Sequence, residues 1–202
     1  MKLGMGEADE VYVMDDFLPK DILLDIQGYY KSRPDDQWRK GEATTLLDPP
    51  YLTYICNIDD VGQEVLSILI EDRVKVDELP PFVERLCSFL QETVGMTTLY
   101  RIKINKIAVR PTIPQSHNIP HWDHPDAGYW SMVLYLNDSV GDTVIFDQTR
   151  QVLLQTKMLT EAKRVTPREG RAVIFPSRLM HTSSTPDVGE TRVVANIVFS
   201  VV

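Results

Sequence analysis

The chain is poor in cysteine, in positive charge and in long apolar runs. Its two cysteines, Cys56 and Cys87, have neither the spacing of a zinc site nor the number that a disulfide framework needs. The formal net charge of −8 disfavours a surface that follows nucleic-acid phosphates, because that binding relies on clustered lysine and arginine. No apolar run has the length of a bilayer, and the acidic N-terminus lacks a secretory signal. We therefore expect a cytoplasmic protein without nucleic-acid or membrane partners.

The 202 residues fit one domain, and the sequence pattern changes near residue 97. Before that position, apolar residues at helical spacing predict helices in three segments, residues 15–32, 59–73 and 80–95. Residues 33–57 are rich in turn-forming residues and are hard to assign. We expect residues 1–96 to form a helical support region that belongs to the same domain as the rest.

From residue 97 onward the pattern is that of β-structure. Short runs of β-branched and aromatic residues alternate with clusters of Gly, Pro, Asp and Ser. The predicted strands fall within residues 97–110, 129–137, 142–147, 171–177 and 191–201. Strands this short and closely spaced are typical of a sandwich or barrel rather than of a parallel sheet with crossover helices. Residues 97–202 are therefore predicted to be the β core.

Histidine is scarce as well, and its placement is informative. Three of the four histidines lie close together, at His117, His121 and His124. The last two begin overlapping His-x-Asp patterns that end at Asp123 and Asp126. On an extended strand such a pattern places an imidazole and a carboxylate on one face.

With a third ligand, that pair would form the facial triad that is typical of non-haem iron sites. Pro125 interrupts the second copy, and proline does not fit a central strand. A His-x-Asp pattern is also common by chance, so metal binding stays open at this point. If one copy does bind a metal, His121 and Asp123 are favoured as its ligands, and His124 and Asp126 would lie in the pocket rim or a loop.

His181 and Arg192 are the further candidates. His181 lies between two predicted strands, and Arg192 follows at the start of the last one. On that strand Arg192 and Asn196 share one face with Val194 and Val198, and four apolar residues share the other. An arginine is poorly placed for burial there unless it pairs with an anion, and its planar guanidinium suits a carboxylate.

With these residues the sequence resembles the 2-oxoglutarate- and Fe(II)-dependent dioxygenases, in particular their prolyl 4-hydroxylase-like branch. The resemblance rests on an ordered set of motifs in the C-terminal half, and on the opening segment "MDDFLPKDI" near the N-terminus. The motifs are His121-Trp122-Asp123, Tyr135-Leu136-Asn137-Asp138, Gly141-Asp142-Thr143-Val144-Ile145-Phe146, Pro167-Arg168-Glu169-Gly170 followed by Phe175-Pro176, His181, and Gly189-Glu190-Thr191-Arg192.

The resemblance implies an α+β fold, mainly β in its C-terminal half: a double-stranded β-helix (jelly-roll, cupin-like) catalytic core with N-terminal supporting helices. It implies that His121, Asp123 and His181 hold Fe(II). It also implies that Arg192 binds 2-oxoglutarate, with Tyr135 and Thr143 as secondary contacts. The expected reaction consumes O2, hydroxylates a peptide, such as a prolyl peptide, or a small molecule, and releases succinate and CO2. Ascorbate would be a suitable reductant.

The chain departs from the family pattern at three positions. Arg110 begins a stretch where the branch often carries Tyr-x-x-Gly, and Val140 replaces the first Gly of Gly-Gly-x-Thr. Arg192 stands where the collagen-type enzymes have a lysine, although arginine is usual in the wider superfamily. Despite these departures, we still expect the chain to bind 2-oxoglutarate. The identity of the primary substrate stays open.

Two other functions stay open at this stage. A cupin-like metal protein that does not use 2-oxoglutarate is one, but it would have no need of an anion anchor such as Arg192. A nucleic-acid demethylase of the same superfamily is the other. Those enzymes typically carry a second arginine six residues beyond the anchor, where this chain has Val198.

Several substrate contacts cannot be assigned from the sequence. Trp122, Tyr129 and Trp130 would suit either the mouth of a substrate pocket or the core. Whether Arg110 or Asn196 contacts substrate is equally open, and so is the oligomeric state.

Overall fold

The structure is a computed structural model that describes residue 3 and residues 10–34, 39–40, 63–71, 80–109, 120–184 and 186–201. His117, Arg110, Cys56 and most of the unassigned segment 33–57 lie outside these residues. In chain order the elements are β1 (Tyr12–Met14), α1 (Lys20–Lys31), β2 (Arg39–Lys40), β3 (Gln63–Glu71), α2 (Pro81–Val94), β4 (Met96–Val109), β5 (Tyr129–Tyr135), β6 (Thr143–Thr149), α3 (Arg150–Thr156), β7 (Glu161–Val165), β8 (Ala172–Pro176), β9 (Leu179–Ser183) and β10 (Thr191–Val201).

The strands form two antiparallel sheets. The larger sheet has the order β1-β8-β5-β10-β4-β3-β2, and the smaller has the order β7-β6-β9. Strands of both sheets contribute to one apolar cluster, which contains Tyr135 and Val194 from the larger sheet and Ile145 and Leu179 from the smaller. Two facing sheets with an inner core are the double-stranded β-helix that the sequence predicted, and the α+β fold class is confirmed.

Two of the predicted helices are present with the expected ends. Pro19 precedes α1, and Pro81 is the first residue of α2, where its missing N–H costs no hydrogen bond. Gly95 ends α2 in the left-handed conformation with φ of 79°, which glycine adopts without strain. Both helices pack against the outer face of the larger sheet, where Ile26 and Leu90 join Ile197 in one core. The helices therefore cover the sheet from outside.

The third predicted helix, at residues 59–73, is wrong. Gln63–Glu71 forms strand β3, which pairs along its whole length with β4, from Gln63 opposite Val109 to Glu71 opposite Arg101. The segment has the β-branched composition of a strand, and the edge of β4 supplies backbone partners that a local pattern does not reveal. Residues before position 97 thus contribute strands as well as helices. The division into regions 1–96 and 97–202 stays a prediction.

Strand β10 has the two faces that were predicted. Val193, Ala195, Ile197 and Phe199 lie in the core beneath the helices, whereas Val194 lies in the inner core between the sheets. Both faces of the central strands are therefore covered, one by helices and the other by the smaller sheet. Polar residues on the inner face are consequently withdrawn from water.

Strands β1, β2, β7 and β9 and the short helix α3 were not predicted, and β9 contains His181. In the part of the chain that the structure describes, no helix is long and apolar enough to cross a membrane.

Leu90→Ala is expected to destabilise the fold by about 2–5 kcal/mol, because the side chain is fully buried in α2 and its loss leaves a cavity. Leu24, on α1, is 52% exposed, and Leu24→Ala is the matched control that should cost less than about 0.5 kcal/mol. Urea unfolding followed by circular dichroism measures both. Equal midpoints for the two variants would contradict the packing described above.

Candidate metal centre

His121, Asp123 and His181 form one compact cluster. Each offers one ligand atom, and these atoms all lie within 4.8 Å of one another. Asp123 and His181 are buried, whereas His121 is partly accessible. Two imidazoles and one carboxylate are a donor set that suits a divalent transition metal, iron in particular.

The two histidines are brought together by the backbone. His121 and His181 form an isolated antiparallel bridge, in which the N–H of each donates to the carbonyl of the other at 2.9 and 2.8 Å. The predicted regular strand through His121 and Asp123 is wrong, because His121 is a single bridge residue and Asp123 lies in a bend. The Asp123 N–H donates instead to the Ser177 carbonyl at 3.1 Å, and this contact orients the carboxylate.

Asp123 accepts hydrogen bonds on both carboxylate oxygens. Arg101 Nη2 donates to Oδ1 at 2.6 Å, while Ser131 Oγ and Asn196 Nδ2 donate to Oδ2 at 2.7 and 3.0 Å. Burial by itself raises the pKa of Asp123, but the Arg101 guanidinium, the two neighbouring histidines and the Asn196 amide outweigh it. The pKa is therefore held well below its usual range, and the group is a carboxylate.

His181 presents one ring nitrogen to the cluster. Its Nδ1 lies 3.1 Å from the Leu179 carbonyl oxygen, which can only accept a hydrogen bond, so Nδ1 carries the proton. The lone pair is then on Nε2, which is buried, lies 3.4 Å from Asp123 Oδ2 and has no hydrogen-bond partner among the described residues. A carbonyl that orients the ring and an unused nitrogen that faces a carboxylate are the features of a metal-binding histidine.

The second His-x-Asp copy lies outside the cluster. The His124 ring stacks on Tyr129 with centroids 3.6 Å apart, and its Nδ1 accepts a hydrogen bond from the Asp126 N–H at 3.2 Å. Burial lowers the pKa of His124. The Asp126 side chain is 72% exposed. Both residues lie in a loop, and Asp126 is exposed there whereas His124 is buried.

Arg192, Tyr135 and Thr143 form a second polar group on the same inner face. Arg192 is only 3% exposed. Its Nη2 and the Tyr135 hydroxyl both donate to Thr143 Oγ1, each at 2.7 Å. Arg192 Nε is buried without a partner, and no carboxylate in the described part of the chain forms an ion pair with the guanidinium. Burial lowers the pKa of Arg192, and Tyr135 and then Asp142 oppose this shift without forming an ion pair with the guanidinium.

The aromatic residues near the motif have structural contacts. Trp130 belongs to the core beneath the helices, 6.1 Å from the Tyr12 ring. Trp122 packs with Phe146 and Met180 on the smaller sheet, and the Arg150 guanidinium lies 5.7 Å from its ring.

Sequence reasoning missed the residues that surround Asp123. Arg101, Lys103 and Ser131 are all buried, and none was a candidate. Asn196, which was left open, contacts both Asp123 and Arg101. One signal was available: cations alternate with isoleucines in "RIKIN", so that one face of the predicted strand is charged.

The comparisons with known proteins agree with this geometry. Residues 111–200 match the 2OG-Fe(II) oxygenase superfamily. Among solved structures, a Pseudomonas putida prolyl-4-hydroxylase has a TM-score of 0.56 at 14% identity, over 96% of this chain and 94% of that one. A prolyl hydroxylase from Trichoplax adhaerens, in complex with a hypoxia inducible factor oxygen degradation domain peptide, has a TM-score of 0.52 at 14% identity, over 94% and 83% of the respective chains.

The epimerase SnoN from nogalamycin biosynthesis, in complex with Fe3+, alpha ketoglutarate and nogalamycin RO, has a TM-score of 0.59 at 12% identity, over 98% of this chain and 81% of that one. At such low identity these structures establish the fold alone. No curated protein matches the sequence.

Asp123→Ala is expected to abolish metal binding, because it removes one of three ligands and the negative charge of the cluster. Asp126→Ala is the matched control, three residues further along, and should retain full occupancy. The measurement is metal content after anaerobic reconstitution with Fe(II), with circular dichroism as the test of folding. Since Asp123→Ala also leaves Arg101 buried without its carboxylate, Asp123→Asn should be measured beside it. If Asp126→Ala loses its iron and Asp123→Ala keeps it, the metal site belongs to the second His-x-Asp pattern.

Proposed function

We propose that this chain, a member of the 2OG-Fe(II) oxygenase superfamily, is an Fe(II)- and 2-oxoglutarate-dependent dioxygenase that hydroxylates a small molecule or a peptide. The observation that carries the proposal is the presence of two incomplete polar groups on one inner face. One is a cluster of three metal-ligand side chains, and the other is a buried arginine without a counter-anion.

The metal cluster fits iron by its donors. Two neutral imidazoles and one carboxylate offset one of the two charges of Fe(II), and the unpartnered Nε2 of His181 supplies a lone pair. Three protein ligands leave further coordination positions for a co-substrate and for oxygen. His121, Asp123 and His181 would therefore hold the metal.

The arginine group fits the distal carboxylate of 2-oxoglutarate. Arg192 would pair with that carboxylate through its unused Nε–H, and Thr143 and Tyr135 lie beside it as secondary contacts. Arg192 and Asn196 share one face of β10, and four residues of strand span about 13 Å. Asn196 in turn contacts Asp123, so a co-substrate held by Arg192 at one end would lie on the same face as the metal cluster.

When bound, iron and 2-oxoglutarate together supply oxidising power from O2, with succinate and CO2 as the co-products. The residues of the chain supply position and environment. Arg101 and Asn196 hold the Asp123 carboxylate ionised and in one orientation, and Leu179 fixes the tautomer of His181. The helices and the smaller sheet keep bulk water away from the site.

The alternative functions are less well supported. A buried guanidinium that pairs with no anion destabilises the fold. A cupin-like protein that does not use 2-oxoglutarate would therefore not explain why Arg192 is buried. A nucleic-acid demethylase would need its second arginine at position 198, where Val198 is buried. Ascorbate as reductant, a prolyl peptide as substrate and a cytoplasmic location stay predictions.

Under anaerobic conditions the protein is expected to develop a visible metal-to-ligand charge-transfer band only when Fe(II) and 2-oxoglutarate are both present. In air it should then release succinate in the presence of its substrate. Absorption spectroscopy and calorimetry test the first step without a substrate. Absence of 2-oxoglutarate binding to the iron-loaded protein would refute the dioxygenase function.

Arg192→Met should lower the affinity for 2-oxoglutarate by about one to three powers of ten, the scale of losing a buried charged pair, and leave the iron content unchanged. Arg168→Met is the matched control, because the Arg168 side chain is 65% exposed and lies in a turn after β7. Titration of the charge-transfer band measures both variants. If Arg192→Met binds 2-oxoglutarate as tightly as the wild-type protein does, another residue is the anchor.

A further inference from the structure

Strand β4 carries two cations on the inner face of the larger sheet. Arg101 lies opposite Val198 and Lys103 lies opposite Asn196 in the antiparallel register of β4 and β10. Residues directly opposite each other point to the same face, so Lys103 shares its face with Asn196 and Arg192. Lys103 is 8% exposed, which is unusual for a lysine without a partner.

Arg101 has a partner and Lys103 has none in the described structure. Arg101 donates to Asp123 and to the Asn196 amide oxygen, whereas no described side chain forms a hydrogen bond or ion pair with the Lys103 ammonium. Ser131 also donates to Asp123, so that carboxylate already accepts hydrogen bonds from Arg101, Ser131 and Asn196. Burial lowers the pKa of Lys103 to about 8, with repulsion from Arg101 adding to it and attraction to Asp123 opposing it.

The charges of the inner face do not balance. Arg101, Lys103 and Arg192 are the buried cations of the described residues, and Asp123 is the only buried carboxylate among them. Fe(II) and 2-oxoglutarate add two charges of each sign, so two positive charges stay uncompensated.

The co-substrate does not supply the missing anion. One of its carboxylates is assigned to Arg192 and the other to the metal, so both are already neutralised. A third anion is needed, and a single ammonium matches the single charge of a carboxylate better than it matches a phosphate.

We propose that Lys103 binds a carboxylate of the primary substrate, so that this oxygenase acts on an acidic small molecule or on an acidic residue of a peptide. The inference rests on the proposed function and specifies its substrate class. Lys103 then holds the substrate beside the metal ligands, because its neighbour across the sheet, Asn196, contacts Asp123 directly.

The test uses the whole protein loaded with Fe(II) and 2-oxoglutarate under anaerobic conditions. The probes are carboxylates paired with their amides: propionate with propionamide, and N-acetylaspartate amide with N-acetylasparagine amide. Shifts of the charge-transfer band on titration give the affinities. In the wild-type protein each carboxylate should bind about ten- to a hundred-fold more tightly than its amide, the range of a charged hydrogen bond.

Lys103→Met should abolish this preference and leave the affinity for 2-oxoglutarate unchanged. Lys103→Arg, which keeps the charge, should retain the preference. Lys106→Met is the matched control, since position 106 lies on the opposite face of β4, opposite Val193.

Three results have distinct meanings. Equal binding of carboxylates and amides by the wild-type protein overturns the proposal, and this comparison needs no variant to fold. A loss of 2-oxoglutarate affinity in Lys103→Met also overturns it, because the lysine would then serve the co-substrate. A wild-type protein that never forms the band refutes the dioxygenase function itself, and with it the substrate class.

Discussion

The buried carboxylate of Asp123 is the constraint on which the rest of the site depends. A charge withdrawn from water must be paired, and removing one partner of a buried pair costs about 3–5 kcal/mol. Its partners Ser131, Asn196 and Arg101 come from β5, β10 and β4, which are consecutive strands of the larger sheet. A shift of one residue in any of these strands would turn its polar side chain to the helix side. The Asp123 carboxylate thus favours one register of these three strands. The alternation of apolar residues favours the same register.

This arrangement also explains how the metal cluster is assembled from two sheets. The larger sheet holds Asp123 through side chains, whereas the smaller sheet supplies His181 from β9. A backbone bridge joins His121 to His181, and in the rotamers present the two ring centroids lie 4.4 Å apart, with His181 Nε2 3.4 Å from Asp123 Oδ2. The ligands are therefore positioned by main-chain hydrogen bonds and by a buried ion pair, both of which form as the sheets do. Such preorganised support is what a metal site on a rigid scaffold requires.

Sequence patterns predicted what depends on local residues and missed what depends on neighbours in space. The ends of α2 and the two faces of β10 are local features, and both are as predicted. Residues 63–71 carry an apolar pattern that suits a helix as well as a strand, and only the edge of β4 decides between them. Arg101 and Lys103 alternate with isoleucines, which in a sheet with one solvated face would indicate an exposed charged face. Here both faces are covered, so the same pattern yields buried cations.

Those cations connect stability with function. A fold that buries three cations against one carboxylate is less stable alone than it would be with the anions in place, since each uncompensated charge loses its hydration. Any anion that binds this inner face only in the folded state shifts the folding equilibrium toward that state. Arg192 and Lys103 would carry this linkage, because Arg101 is already paired with Asp123. If the inner face binds acidic ligands as proposed, the charge that attracts them is the same charge that weakens the fold on its own, and folding and binding would be coupled through these two residues.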